Sequence, residues 1–210
     1  FSKSLQAIQP MMDRIGVRCI VCNTNYMAFT DSRIILQSFN AMVLSPALIL
    51  GGLFSAFYIP SSYRFNDFFR NGSHLMMDHL LATETMETTH EGSHLKRTEK
   101  TRVISNWSET YSTLRVCALR TGYDQDTGSV QNCCRCEKCI RTMMSLELHG
   151  GLQNYTVFPS KVRKHHIWLC NYWYKGVRLF AQEIISDAFK ARRYGIMIDF
   201  CVAIIVSSLV

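Results

Sequence analysis

The sequence predicts an α/β fold: a three-layer arrangement of parallel sheet and covering helices, with a four-cysteine zinc knuckle and a C-terminal helical appendage. Three observations lead there. Helix-like and strand-like segments alternate through the first two-thirds of the chain, the pattern of a parallel sheet with helical crossovers. Four of the nine cysteines fall within Cys133–Cys139. Beyond Asn154 the strand-like segments stop and the pattern turns helical, dividing the chain into residues 1–154, which include the knuckle at 117–139, and residues 155–210.

The elements follow in order. Ser4–Ile15 places Leu5, Ile8, Met11, Met12 and Ile15 at helical spacing, with Gly16 as its stop. Val17–Cys22 reads as a short buried strand ending at the polar turn Asn23-Thr24-Asn25. Asp31 is the expected N-cap of a helix running to Leu50, kinked at Pro46 and stopped by Gly51-Gly52. Phe54–Ile59 is the next strand, and Tyr63–Gly72 a loop. Thr83–Thr89 and Leu114–Leu119 complete the strands, the latter carrying Cys117. Between them Arg97–Trp107 reads as a basic helix. The loop Arg120–Gln131 is long enough to let Cys117 meet the cysteine cluster, which leads into a helix over Glu137–His149. Tyr172–Arg193 sets Trp173, Val177, Phe180, Ile184, Ile185, Ala188 and Phe189 along one helical face.

Composition sets the outer bounds. With 210 residues, 48% hydrophobic and 19% charged, the chain can bury a core and is not of disordered composition. The formal charge of +7 favours anionic partners, although the basic residues are scattered and also suit a solvated surface. The chain opens at Phe1 without an initiator Met, so an upstream segment is expected, and Phe1–Asp13 has no signal-peptide core. Ala41–Pro60 is uncharged but broken by Pro46 and Gly51-Gly52, and Ile196–Val210 is short for a bilayer. No transmembrane span and a cytoplasmic location are expected.

The cysteines carry the most specific signal. Cys117, Cys133, Cys136 and Cys139 form C-x15-C-x2-C-x2-C, and four such thiolates complete a tetrahedral Zn2+. Two disulfides or free buried thiols are the alternatives. Disulfides fit poorly, because cysteines three positions apart rarely close on each other. Other motifs give way to plainer readings. His90-Glu91-Gly92-Ser93-His94 matches H-E-x-x-H, but Gly and Ser at its centre do not suit the helix that zinc chemistry needs. Leu50–Ser55 faintly resembles a pyrophosphate loop and reads better as a helix stop. His74, Asp78 and His79 either line a pocket or cap a helix. Glu84 and Glu87 suit the surface, as do His165 and His166. Arg97 and Lys100 share a helix face that could meet phosphate or solvent.

Five segments in order, Tyr58–Tyr63, Gly72–Glu84, Leu95–Arg102, Leu114–Cys117 and Asn132–Gly150, resemble uncharacterised relatives of 7-cyano-7-deazaguanine synthase, in the PP-loop (N-type) ATP pyrophosphatase group. The resemblance covers Val17 to Gly151. It implies an adenine nucleotide α-hydrolase-like fold and a ligase that adenylates a carbonyl or carboxylate before attack by a nitrogen nucleophile. ATP and Mg2+ are the implied cofactors beside structural zinc. Ser61, Ser62, Asp78, Lys100 and Arg141 are the implied lining of the site, and a nucleotide and a small-molecule substrate the implied partners. The S-G-G-x-D-S loop of that group is missing and would lie upstream of Phe1, leaving this chain inactive alone. Where such relatives have Gly after the first knuckle cysteine, this chain has Cys134, a spare thiol or an alternative ligand. The rival reading is a non-enzymatic zinc-knuckle module that binds nucleic acid or a partner protein; a homodimer is compatible with either.

Overall fold

The computed structural model describes residues 2–29, 31, 34, 37–67, 72–117 and 129–209. The chain divides into two compact units, Phe1–Cys19 with Arg97–Val210, and Ile20–Lys96. This division differs from the boundary at residue 154 read from the sequence. Helices dominate: α1 (Ser2–Ile15), α2 (Phe39–Ile49), α3 (Leu75–Asp78), α4 (Arg97–Ser105), α5 (Glu137–Leu148), α6 (Lys164–Trp168), α7 (Lys175–Lys190) and α8 (Tyr194–Leu209). Among the described residues the sheet has two parallel strands, β1 (Ala56–Pro60) and β2 (Glu87–Glu91), in register from Ala56 opposite Glu87 to Pro60 opposite Glu91.

The expected three-layer sheet is therefore corrected to a mostly helical fold with a minor sheet. Two of the anticipated strands explain the difference. Val17–Cys22 carries the apolar run of a strand but pairs with nothing described, and Val17, Ile20 and Val21 are about half exposed. A strand is stable only through its neighbour's ladder. The described part of the other, Leu114–Cys117, forms no ladder either, because the Asn132 side chain takes up its backbone groups. Ala118 and Leu119 lie outside the described residues, as do most of the loop Arg120–Gln131, residues 32, 33, 35 and 36, and Val210, while the Ile34 amide donates to Asp31 Oδ1 at 2.9 Å, the bond an N-cap accepts.

In the first unit α5 is the central rod, with a different core on each side. Met143 and Leu146 pack with Val130, Tyr155, Val157 and Phe158, while Ile140 packs with Ile167, Tyr172, Ile184 and Phe200. The helical spacing of its apolar residues forms because both sides are buried. Gly150, with φ +68, ends α5 in the left-handed conformation that glycine tolerates at a helix C-terminus. Gly151 follows where α4 comes close: a Cβ there would sit 2.8 Å from the Ser105 Cβ. The last carbonyls of α4 are taken up by two tyrosines, with Tyr155 donating to Ile104 O at 2.7 Å and Tyr111 to Ser105 O at 3.2 Å. At its other end Glu183 of α7 accepts the amides of Arg97 and Thr98 at 2.9 and 3.4 Å, serving as the cap of α4 from a neighbouring helix.

In the second unit Leu44, Ala47 and Met86 form a small core with Phe54, Phe57 and Leu81. Beside it lies one buried carboxylate that joins several elements. Asp78, fully buried, accepts from Asn40 Nδ2 (3.0 Å), Ser73 Oγ (2.8 Å) and the His74 amide (3.1 Å), and pairs with His90 Nδ1 at 2.6 Å. These partners come from α2, the loop before α3 and β2. His90 and Glu91 end β2 and Gly92 takes φ +75, so the H-E-x-x-H residues are strand and turn, not a zinc-binding helix.

Candidate metal centre

The knuckle sits at the N-terminus of α5. Cys136 is the residue before the helix, with extended φ and ψ, and Cys139 lies in its first turn, which turns both sulfurs to the same point. Cys133 precedes a tight turn in which Cys134 takes φ +57, and the Cys136 amide donates to Cys133 Sγ at 3.3 Å. Cys117 arrives from the other side of the long loop. The sulfurs of Cys117, Cys133, Cys136 and Cys139 all lie within 4.8 Å of one another. Cys133 and Cys139 are 3.8 Å apart, and Cys136 and Cys139 are 3.4 Å apart. A tetrahedral ion with metal–sulfur arms of ~2.3 Å needs sulfur–sulfur edges of ~3.8 Å. A disulfide needs ~2.0 Å, and none of the nine cysteines is disulfide-bonded. The quartet has the dimensions of a metal site.

Electrostatics at the quartet are uneven. Burial opposes ionisation of Cys133, yet the amides of Arg135 and Cys136 and the thiols of Cys117 and Cys136 outweigh it and bring Cys133 down to about 7. Burial pushes the Cys139 thiol far up, with the hydrogen bond to Cys136 and its charge adding to the effect. A cation in the centre favours the thiolate at every position, since bound thiols are deprotonated outright.

Cys134 lies outside the quartet. Its thiol is buried in the core with Met143 and Leu146, where burial raises its pKa, and it donates to Asn132 O at 3.4 Å. Its backbone lies in the left-handed region, where a side chain costs about 1–2 kcal/mol relative to the ordinary conformation. Glycine is the residue this position favours, and burial of the thiol offsets the strain of cysteine.

Asn132 is the functional residue that sequence reasoning misses. It is 1% exposed and organises the approach of both cysteine segments. Its Oδ1 accepts the amides of Val116 and Cys117 at 2.9 and 3.0 Å. Its Nδ2 donates to Leu114 O and Val157 O at 2.9 and 3.3 Å, and its own amide donates to Val157 O at 2.9 Å. One side chain thus fixes Cys117 beside Cys133. The available signal is an asparagine directly before the first knuckle cysteine, a residue whose amide both donates and accepts. Replacing Asn132 with alanine strands buried amides and carbonyls that each cost about 1–3 kcal/mol. The expected result for Asn132→Ala is zinc affinity weakened by about tenfold to a hundredfold, the range for partners that orient ligands. Competition with a chromophoric chelator measures it; unchanged affinity contradicts the role.

The remaining predicted site residues separate. Ser61 and Asp78 are buried in the second unit, where Ser62 lines a small polar cavity with Ser73, His90 and Ser93. Lys100 and Arg141 belong to the first unit. Arg141 pairs with Glu137 at 3.2 Å and lies 4.3 Å from the centroid of the Phe180 ring. Arg97 is 5.3 Å from the same ring. Burial, followed by the Arg97 charge, pulls Lys100 down to about 8 against the attraction of Glu183. Because its folded pKa is below its unfolded one, the cost of burying its charge is fully present below pH 8. That cost fades as pH rises towards 10.5. Lys100→Met is therefore expected to raise stability at pH 7.5, with the gain over the parent shrinking by pH 10. Urea unfolding at the two values checks this.

Fold and site together define a mostly helical chain built around a four-cysteine centre. No family model, no curated protein and no solved structure gives a significant match to this chain. The resemblance to 7-cyano-7-deazaguanine synthase relatives is overturned by the fold. Nucleotide sites of α/β folds lie at the carboxyl edge of a broad parallel sheet, and the sheet described here has two strands. The reading as a PP-loop, ATP-binding ligase is corrected accordingly. The expectation of ATP and Mg2+ rests on that resemblance alone and goes with it. Among the described residues no helix is long and apolar enough to cross a membrane.

Proposed function

We propose that this chain is a non-catalytic zinc-binding module, in which one Zn2+ held by Cys117, Cys133, Cys136 and Cys139 clamps the 114–117 segment to the N-terminus of α5. The observation that carries this reading is the set of four sulfurs within 4.8 Å, with edges close to those of a tetrathiolate. The donor set also speaks for a structural ion. Four thiolates fill a tetrahedral Zn2+ and leave no position for substrate. Arg135, Lys138 and Arg141 surround the quartet in sequence and suit the two net negative charges of such a centre. The ion stabilises the seam between the two cores of the first unit, and the module acts through its surface.

Elemental analysis of the purified protein tests the reading. One zinc per chain is expected, lost in Cys117→Ser and Cys136→Ser and kept in Cys134→Ser. Metal-free protein with unchanged folding, or a Cys134→Ser variant that loses its zinc, contradicts the assignment.

A further inference from the structure

The first unit carries the whole net positive charge of the protein. It has 19 basic against 10 acidic residues, whereas the second has 4 against 6. Within the first unit the charge is unevenly placed. Residues 148–182 include Lys161, Arg163, Lys164, Lys175 and Arg178 and no Asp or Glu. The same stretch exposes large aromatic rings: Trp173 is 69% exposed, Tyr174 57% and Trp168 36%. Solvated basic surfaces do not usually include such rings, and cores do not expose them.

Trp168 and Trp173 border a cleft of about 380 Å3 between the α6–α7 connection and α8, lined also by Leu169, Asn171 and Ser207 among others. Its shape is built by the local chain. The Trp173 amide donates to Asn171 Oδ1 at 2.9 Å, and Ser207 Oγ accepts from the Tyr172 amide and donates to Cys170 O, both at 3.0 Å. Trp168 is held from behind by a 3.2 Å bond from Nε1 to Asp199. Basic residues flank the lining in sequence, with Lys164 four positions before Trp168 and Lys175 two after Trp173, and Arg178 donates to Ser208 Oγ at 3.4 Å beside the lining residue Ser207.

We propose that this cleft binds single-stranded nucleic acid, one base stacking on Trp173 and the flanking phosphates meeting Lys164, Lys175 and Arg178. Flat rings and cations at this spacing suit a strand whose bases are splayed out, where stacking supplies sequence-tolerant affinity and the cations follow the backbone. An anionic membrane is the other surface that aromatic and basic residues meet. The concavity of a mostly apolar cleft, with Asn171 and Ser207 as its polar members, suits an inserted base, whereas an interfacial helix presents a continuous apolar face to the acyl boundary. The proposal deepens the reading of the chain as a zinc-held module by naming the partner of its surface.

The test uses the full zinc-loaded chain, fluorescent U12 and dT12 oligonucleotides, and vesicles of phosphatidylcholine with phosphatidylserine. Saturable binding to at least one oligonucleotide is expected, with tryptophan quenching and a log–log salt slope of about −2 for three phosphate contacts. Trp173→Ala should weaken binding on the order of tenfold or more, and Trp173→Phe should restore most of it, with zinc content unchanged in both. Failure to bind either oligonucleotide at low salt overturns the proposal, as does binding indifferent to Trp173→Ala. Co-sedimentation with vesicles without oligonucleotide binding assigns the surface to a membrane instead. Zinc content is read separately, so a zinc-loaded chain that ignores oligonucleotides refutes this inference and leaves the metal module standing.

Discussion

Replacing Cys139 with serine is expected to release the ion and lower the stability of the first unit by more than about 4 kcal/mol, the range of metal-site losses. Cys139 is fully buried at the point where α5 meets both cores, so its loss cannot be absorbed by a surface rearrangement. The ion's own term is large: in small zinc-finger peptides, binding supplies about 10–16 kcal/mol of folding free energy. Here the packing around Met143, Leu146, Ile140 and Ile184 remains after the ion has gone. The expected outcome is therefore a weakened core and not an unfolded chain. At about 2–4 °C per kcal/mol for a chain of this size, the melting midpoint should fall by roughly 10 °C. Excess chelator added to the parent protein should reproduce the shift. A midpoint that stays put in both experiments removes the structural role of the site.

Asp78→Ala should be equally severe in the second unit, at about 3–5 kcal/mol, because several buried donors lose one shared acceptor at about 1–3 kcal/mol each. All the bonds that converge on the Asp78 carboxylate would be lost at once. Asn40, Ser73 and the His74 amide would be left without this acceptor, and His90 without its carboxylate. Asp78→Asn should recover only part of the loss, since its amide nitrogen cannot accept. Chemical denaturation of both variants checks the order; equal, small effects would show that the small core around Leu44 and Met86 holds the unit by itself.

Legibility in the sequence follows the range of the signal. The cysteine quartet is readable because three ligands lie within seven residues and local spacing fixes their geometry. Helices α1 and α5 are readable from apolar spacing and their glycine stops, α7 from its apolar face, and α4 from its basic run. Strands are not. Val17–Cys22 has the composition of a buried strand, but composition does not supply the partner whose hydrogen bonds make one. The five motif segments shared with the resembled family are likewise local, and none encodes how many strands meet. The Asp78–His90 pair is split between separate readings, with Asp78 given to a helix start or a pocket lining and His90 to a discarded protease motif. Asn132 escapes for the same reason: its partners at 114–117 and 157 lie 15 to 25 positions away.

The discontinuity of the first unit has a consequence for synthesis. Helix α1 belongs to it, with Ala7 against the core of Met143 and Tyr155, and Met11 accepting from Thr113 Oγ1 at 3.4 Å. About a hundred residues, including the whole second unit, leave the ribosome between Met11 and Thr113. At roughly 5–20 residues per second, the apolar side of α1 waits some 5–20 s for a partner. During that interval it is a target for chaperones and for aggregation, and the second unit is positioned to fold first.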